Sequence, residues 1–258
     1  MLEKIPVFRV TETTRGDDED AVVIEFNLTI VLNGRELVTL ICSPEKLEFL
    51  AAGFLCSQGL IKTKEDIKDI ALDKEKGLIA VTTREPGQFA GDLLLRRLIG
   101  SSGEKGVVRS NDLPQGVRNN SRITISSREV FTLMADFIQH SDVYKATGGV
   151  HSAALCTTRK IVLFSDDIGR HNAIDKIFGE CLLRDIPIDD RILLTSGRVS
   201  SEIILKVAKR NIPILISKSA PTRIAVELAD NLGMTLIGFV RGKKMNVYSH
   251  SWRMSNGD

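Results

Sequence analysis

The chain has 258 residues, 43% hydrophobic and 26% charged, with a formal net charge of +2. That balance supports a buried core and excludes disordered and fibrous classes. Its apolar runs, such as residues 192–194 and 212–216 broken by Pro213, fall far below the ~18 residues of a membrane span, and the first ten residues lack a signal-peptide core, so a cytoplasmic protein is expected.

In chain order, Ile24, Phe26, Leu28, Ile30 and Leu32 alternate with Glu25, Asn27, Thr29 and Val31, the period of a half-buried strand. Asn33-Gly34 is a pair that two-residue hairpins prefer, and residues 37–42 return as the partner strand. Ser43-Pro44 predicts a helix start, a capping hydroxyl before a first-turn proline. Leu47, Leu50, Ala51, Phe54 and Leu55 then follow at helical spacing until Gly59. Residues 84–126, rich in glycine, read as a connector around a short helix near 93–99; connectors of this length usually carry function.

Residues 126–140 read as an amphipathic helix with Val130, Phe131, Met134 and Phe137 on its apolar face. From residue 145 strands and helices alternate. Strands are expected over 153–164 (interrupted at 157–160), 192–195, 212–217 and 236–240, with helices around Ile174–Leu182, 200–210 and 221–232, and an edge strand over 245–249. Such alternation predicts an α/β fold with parallel β-α-β units. The division expected is a smaller β-rich N-terminal module with the connector, residues 1–125, and an α/β domain, residues 126–258.

Residues 191–258 hold 11 Lys/Arg against 4 Asp/Glu, a net of +7, leaving −5 for residues 1–190. A basic C-terminal quarter suits an anionic ligand. Sparse aromatics, 5%, argue against nucleic acid, and no membrane partner is expected. Three strand-end turns carry the candidate site: Ser196, Gly197 and Arg198; Lys218 and Ser219; and Phe239, Val240, Arg241, Gly242, Lys243 and Lys244. In a parallel sheet these lie at the carboxyl edge, where ligands bind, and hydroxyls, helix N-termini and cations together suit a phosphate. Ordinary helix capping accounts for any one of the first two turns taken alone. His151, behind Gly148 and Gly149, belongs to a further polar cluster, as do Asp167 and His171, which are read either as a carboxylate–imidazole pair or as a helix cap. Cys42, Cys56, Cys156 and Cys181 have no metal-site spacing. His151 lacks the Glu and the Pro-Cys-x-x-Cys of a zinc deaminase, so no metal site is expected.

Taken in order, the stretch from Gly53 through Cys56 to Ile61, residues 147–155, Asp167-Ile168-Gly169-Arg170-His171-Asn172-Ala173-Ile174-Asp175-Lys176, Thr195-Ser196-Gly197-Arg198-Val199-Ser200-Ser201-Glu202, residues 217–221 and residues 238–247 resemble the FdhD/NarQ family of formate dehydrogenase accessory proteins. The resemblance implies a C-terminal domain with a cytidine-deaminase-like three-layer α/β/α fold, without the zinc chemistry. It implies a sulfurtransferase role in molybdenum cofactor maturation, in which sulfur from a cysteine desulfurase, carried as a persulfide, reaches Mo-bis(molybdopterin guanine dinucleotide) destined for formate dehydrogenase. The family's cofactor-binding segment falls on residues 239–244. Where the family carries Cys-Gly-x-Cys, with a persulfide on its first cysteine, this chain has Gly103 and Gly106, so no catalytic residue is assigned. Three readings follow: a sulfur carrier, a non-catalytic binder or chaperone of the cofactor, and a generic guanine-nucleotide-binding protein. A homodimer is compatible with each.

Overall fold

The computed structural model describes residues 1–85, 97–99 and 118–255. Gly103 and Gly106, with most of the connector, lie outside the described residues.

Strands β1 (Leu2–Val10) and β2 (Arg15–Val23) form an antiparallel ribbon. The acidic run Asp17–Asp20 gives β2 no apolar alternation, so the sequence did not announce it. β3 (Phe26–Leu32) and β4 (Arg35–Cys42) pair across Asn33-Gly34, both left-handed with φ of 50° and 79°, as the hairpin requires. α1 (Leu47–Ser57), β5 (Ile67–Asp73), β6 (Leu78–Thr83) and β7 (Arg97–Ile99) follow, and the sheet runs β5-β6-β3-β4-β7. Leu28, Ile30 and Leu40 from the sheet and Leu47, Leu50 and Leu55 from α1 fill one core. Residues 97–99 are a strand, not the helix expected there: they pair in parallel with Val38–Leu40, satisfying the backbone groups that β4 would otherwise leave at a sheet edge.

The second part contains β8 (Ile125–Ser126), α2 (Ser127–His140), α3 (Asp142–Thr147), β9 (His151–Cys156), β10 (Ile161–Asp167), α4 (Arg170–Leu183), β11 (Ile192–Thr195), α5 (Ser201–Ala208), β12 (Ile214–Ser217), α6 (Arg223–Asn231), β13 (Thr235–Arg241), β14 (Lys244–Ser249) and β15 (Met254–Ser255). Its six-stranded sheet has the order β10-β9-β11-β12-β13-β14. Only β11, β12 and β13 are mutually parallel; β9, β10 and β14 run antiparallel to their neighbours, making the sheet mixed. Strand pleating sends alternate side chains to opposite faces. Leu155, Leu193, Leu215 and Leu236 meet α4, α5 and α6, while Ile192, Leu194, Ile214, Ile216 and Ile237 share a core with Val130, Leu133, Met134 and Phe137 of α2. α2 begins where expected, with Ser126 and Glu129 forming a reciprocal capping box. Residues ahead of 126 already bond to this part: Asn119 N–H reaches Leu232, and the fully buried Arg253 guanidinium donates to the carbonyls of Gly233 and Ser121. Among the described residues no helix is long and apolar enough to cross a membrane.

The two parts join closely. A Cβ on Gly53 of α1 would sit 1.8 Å from the Asp175 carbonyl oxygen, and one on Gly179 of α4 would sit 1.8 Å from that of Phe49, so the two helices touch backbone to backbone. Ser43 is not the helix cap expected of it: α1 starts four residues later. Its N–H donates to Asp167 at 3.0 Å, and its hydroxyl accepts from Ile168 N–H at 3.1 Å. Asp167 is not paired with His171. It forms a fully buried ion pair with Lys176 at 2.7 Å and accepts from Gly169 N–H and Asn172. Neither of its two readings holds as made: Asp167 accepts from the Gly169 amide just ahead of α4, and the first turn of that helix has no side-chain cap.

Candidate ligand site at the sheet edge

β11, β12 and β13 deliver their carboxyl ends to one edge, and the turns there are tied together. Lys218 N–H donates to the Thr195 carbonyl at 3.1 Å, and the Ser217 hydroxyl donates to the Gly197 carbonyl at 2.8 Å while accepting from Ser219 N–H. Phe239 N–H donates to the Ser219 carbonyl at 3.1 Å. Phe239 is held at φ 53° beside a bulge in the β13–β14 ladder, a conformation that costs on the order of 1–3 kcal/mol for a bulky residue. On the other flank Ser196 N–H donates to Ser152, and the Ser196 hydroxyl accepts from Ser152 N–H at 2.9 Å.

A cavity of about 380 Å³ opens over this edge. Of the residues singled out in the sequence, His151, Ser196, Lys218, Ser219 and Arg241 line it. Gly197, Arg198, Phe239, Val240, Gly242, Lys243 and Lys244 do not. Val240 is buried in the core under the sheet, and Gly242 makes the β13–β14 turn at φ 57°. Gly148, Gly149, Val150, Ser152 and Ile168, from the polar clusters around His151 and Asp167, complete one side, and the rest of the wall comes from residues not expected at the site: Phe137, Ile138, Ser141 and Tyr144, where α2 and α3 fold across the edge. Helical periodicity marks Phe137 as a core position of α2, but nothing local marks these residues as lining, because they reach the edge only through the packing of α2. The described lining residues include no carboxylate. The Lys218 ammonium lies 5.3 Å from the Tyr144 ring centre, and the Arg241 guanidinium lies 5.6 Å from that of Phe239.

Asp166 stands behind this wall, accepting from the hydroxyls of Ser152 at 2.6 Å and Ser141 at 2.7 Å. Burial raises its carboxyl above the ordinary carboxylate range, and the two hydroxyls oppose that rise. Burial first, and then Arg170 and Arg198, lower the His151 imidazole below its ordinary range. The arrangement is an imidazole disfavoured from protonation, two cations, hydroxyls and the aromatic rings of Tyr144 and Phe137, which suits a phosphorylated ring compound.

A second, smaller cavity lies between the two parts and includes His171, Glu202 and Lys206. Burial, followed by Lys206 and Arg170, pushes His171 down to about 3. The unfolded chain takes up this proton near 6.5 while the folded chain refuses it, so stability is full above pH 6.5 and falls as pH drops from there towards 3. His171→Gln is expected to flatten the urea-midpoint-against-pH curve in that window by up to one proton's slope. Parallel wild-type and variant curves would show that His171 does not titrate in this way.

The sequence profile of the FdhD/NarQ family matches residues 23–255. The "Sulfur carrier protein FdhD" of Bacillus subtilis (strain 168) is 44% identical over 250 residues, covering 96% of this chain and 95% of that protein. The protein of the same name from Geobacillus kaustophilus is 42% identical, covering 93% and 92%. A crystal structure of a protein assigned as a formate dehydrogenase accessory protein, from Desulfotalea psychrophila, superposes with a TM-score of 0.79 at 26% identity, covering 99% of both chains.

Proposed function

The chain belongs to the FdhD/NarQ family, and from that premise we propose that it serves formate dehydrogenase maturation by holding the guanine dinucleotide end of Mo-bis(molybdopterin guanine dinucleotide) in the cavity at the sheet edge. The observation that carries this reading is the wall itself: Lys218, Arg241, Ser196 and Ser219 gathered beside Tyr144 without a carboxylate among the described lining residues. Lys218 and Arg241 bind phosphate oxygens, the serine hydroxyls orient them, and Tyr144 offers a face to a flat ring. The volume lies near the lower end of the ~300–1,000 Å³ usual for small-molecule sites. It therefore accepts one nucleotide-sized arm of the cofactor, and a second copy of the chain would supply a cavity for the other.

The geometry favours a binder over a persulfide carrier. Cys42, Cys56, Cys156 and Cys181 are all buried. Burial pushes the thiols of Cys42, Cys156 and Cys181 up to about 12 and raises Cys56 as well, whereas a carrier thiol must be exposed and ionised. Calorimetry with GDP tests the site: Lys218→Ala/Arg241→Ala is expected to weaken binding about 10-fold or more, the loss of two charge-assisted contacts, and unchanged affinity would remove the assignment. In the same preparation, a cysteine desulfurase with labelled cysteine should load little persulfide on the wild type and more on Gly103→Cys/Gly106→Cys. Robust wild-type loading mapped to one of the four cysteines would restore the carrier reading.

A further inference from the structure

We propose that Arg170, Arg198 and His151 form a second anion subsite at the same sheet edge, separate from Lys218 and Arg241 and built for a phosphate-class oxyanion. The proposal rests on the reading above only in making that oxyanion part of the same ligand.

Three segments converge here. His151 opens β9 and stands opposite Asp167, three residues before Arg170 begins α4. Ser196, bonded to Ser152 through both its N–H and its hydroxyl, brings Gly197 and Arg198 alongside. A Cβ on Gly197 would lie 2.9 Å from the Arg170 Cβ and 3.2 Å from its Cδ. The Arg170 stem therefore runs against the Gly197 backbone, a contact that only glycine permits and that fixes the course of the side chain.

Neither guanidinium has a carboxylate within ion-pairing distance among the described residues. By contrast Lys46, Lys176 and Lys206 each meet one at 2.6–2.7 Å. Arg170 Nε is buried and has no hydrogen-bond partner among the described residues. Burial and then Arg198 disfavour the Arg170 charge, with Glu202 opposing them. α4 itself starts at Arg170 with no side-chain cap and no acid in its first turn. Two neighbouring guanidinium groups with no ion-paired carboxylate among the described residues repel each other, a repulsion that Glu202 only partly offsets, and an oxyanion relieves it while taking up their forked N–H groups. His151, kept neutral by its surroundings, has its Nδ1 3.4 Å from the Ser196 hydroxyl and supplies a third polar group on the side facing the cavity.

The test titrates the full chain with inorganic phosphate while His151 is followed by 1H–15N NMR, its signal assigned by its loss in His151→Gln. Bound phosphate offsets the guanidinium charges, so the His151 pKa is expected to rise on titration. In Arg170→Gln/Arg198→Gln that response should vanish and phosphate affinity fall at least tenfold, while Lys218→Ala/Arg241→Ala keeps the response. Should Arg170→Gln fail to fold, Arg198→Gln, at an exposed position, must still weaken the response. No His151 shift in the folded wild type, or the same shift in the folded arginine variants, overturns the subsite. GDP calorimetry separates the two readings: a wild type that ignores GDP yet responds to phosphate loses the cavity assignment and keeps this subsite.

Discussion

Gly53→Ala is expected to destabilise the protein by about 3 kcal/mol, the upper part of the range for overpacking a tight contact. In an ordinary helix the same change stabilises by about 1 kcal/mol, because alanine has the higher helix propensity, so the sign alone is diagnostic. The added methyl group would enter the space of the Asp175 carbonyl and the Gly179 amide, both backbone atoms of α4, which cannot turn aside as a side chain can. The helices must separate, opening the core that Leu182 of α4 shares with α1. A loss of this size lowers Tm by roughly 6–12 °C in a chain of this length. Gly16→Ala, where a Cβ meets nothing within 4 Å, serves as the control and should move Tm little. A Gly53→Ala variant as stable as the wild type would mean that α1 and α4 do not cross at this distance.

What the sequence disclosed, and what it hid, divides along the range of the interactions. The β3–β4 hairpin was legible because Leu28, Ile30 and Leu32 repeat with the strand period and Asn33-Gly34 supplies its turn. α2 was legible because Val130, Met134 and Phe137 repeat with the helical one and Ser126 with Glu129 marks its start. The three strand-end turns could be placed on one edge because parallel strands separated by short helices leave no other arrangement. Features set by partners far along the chain stayed hidden. β7 exists through its pairing with β4, some sixty residues earlier. Ser43 carries the local signature of a helix cap but bonds to Asp167 and Ile168 instead. Tyr144 becomes part of the wall only when α2 has packed against the sheet. Nothing local to Arg170 marks it as a neighbour of Arg198; that follows from the meeting of β9, β10 and β11. Residues 239–244 contribute little to the wall besides Arg241 because, in the β13–β14 hairpin, Val240 faces the core and Lys243 and Lys244 are exposed outside the cavity lining.

The buried pair Asp167–Lys176 should give the other large effect. Both side chains are fully buried and 2.7 Å apart, and Lys176 also donates to the Asp166 carbonyl at 3.2 Å. Removing one partner leaves an uncompensated charge in the interior, which typically costs about 3–5 kcal/mol. Lys176→Met and Asp167→Asn are each expected to reach that range, since the remaining hydrogen bonds of Asp167 with Ser43, Gly169 and Asn172 cannot neutralise a charge. The double variant carries no buried ion and should lose less than the two singles combined, with a coupling of about 2–3 kcal/mol, the upper part of the range for residues in direct contact. Chemical denaturation of all four proteins measures this, and additive losses would show that the two charges do not act as a pair. The consequence reaches the ligand site, because Asp167 holds the Gly169 amide and so sets where α4 begins. A folded Lys176→Met protein should therefore show a weakened phosphate response at His151, with GDP affinity less affected, since Lys218 directly follows β12 and Arg241 ends β13, away from this joint.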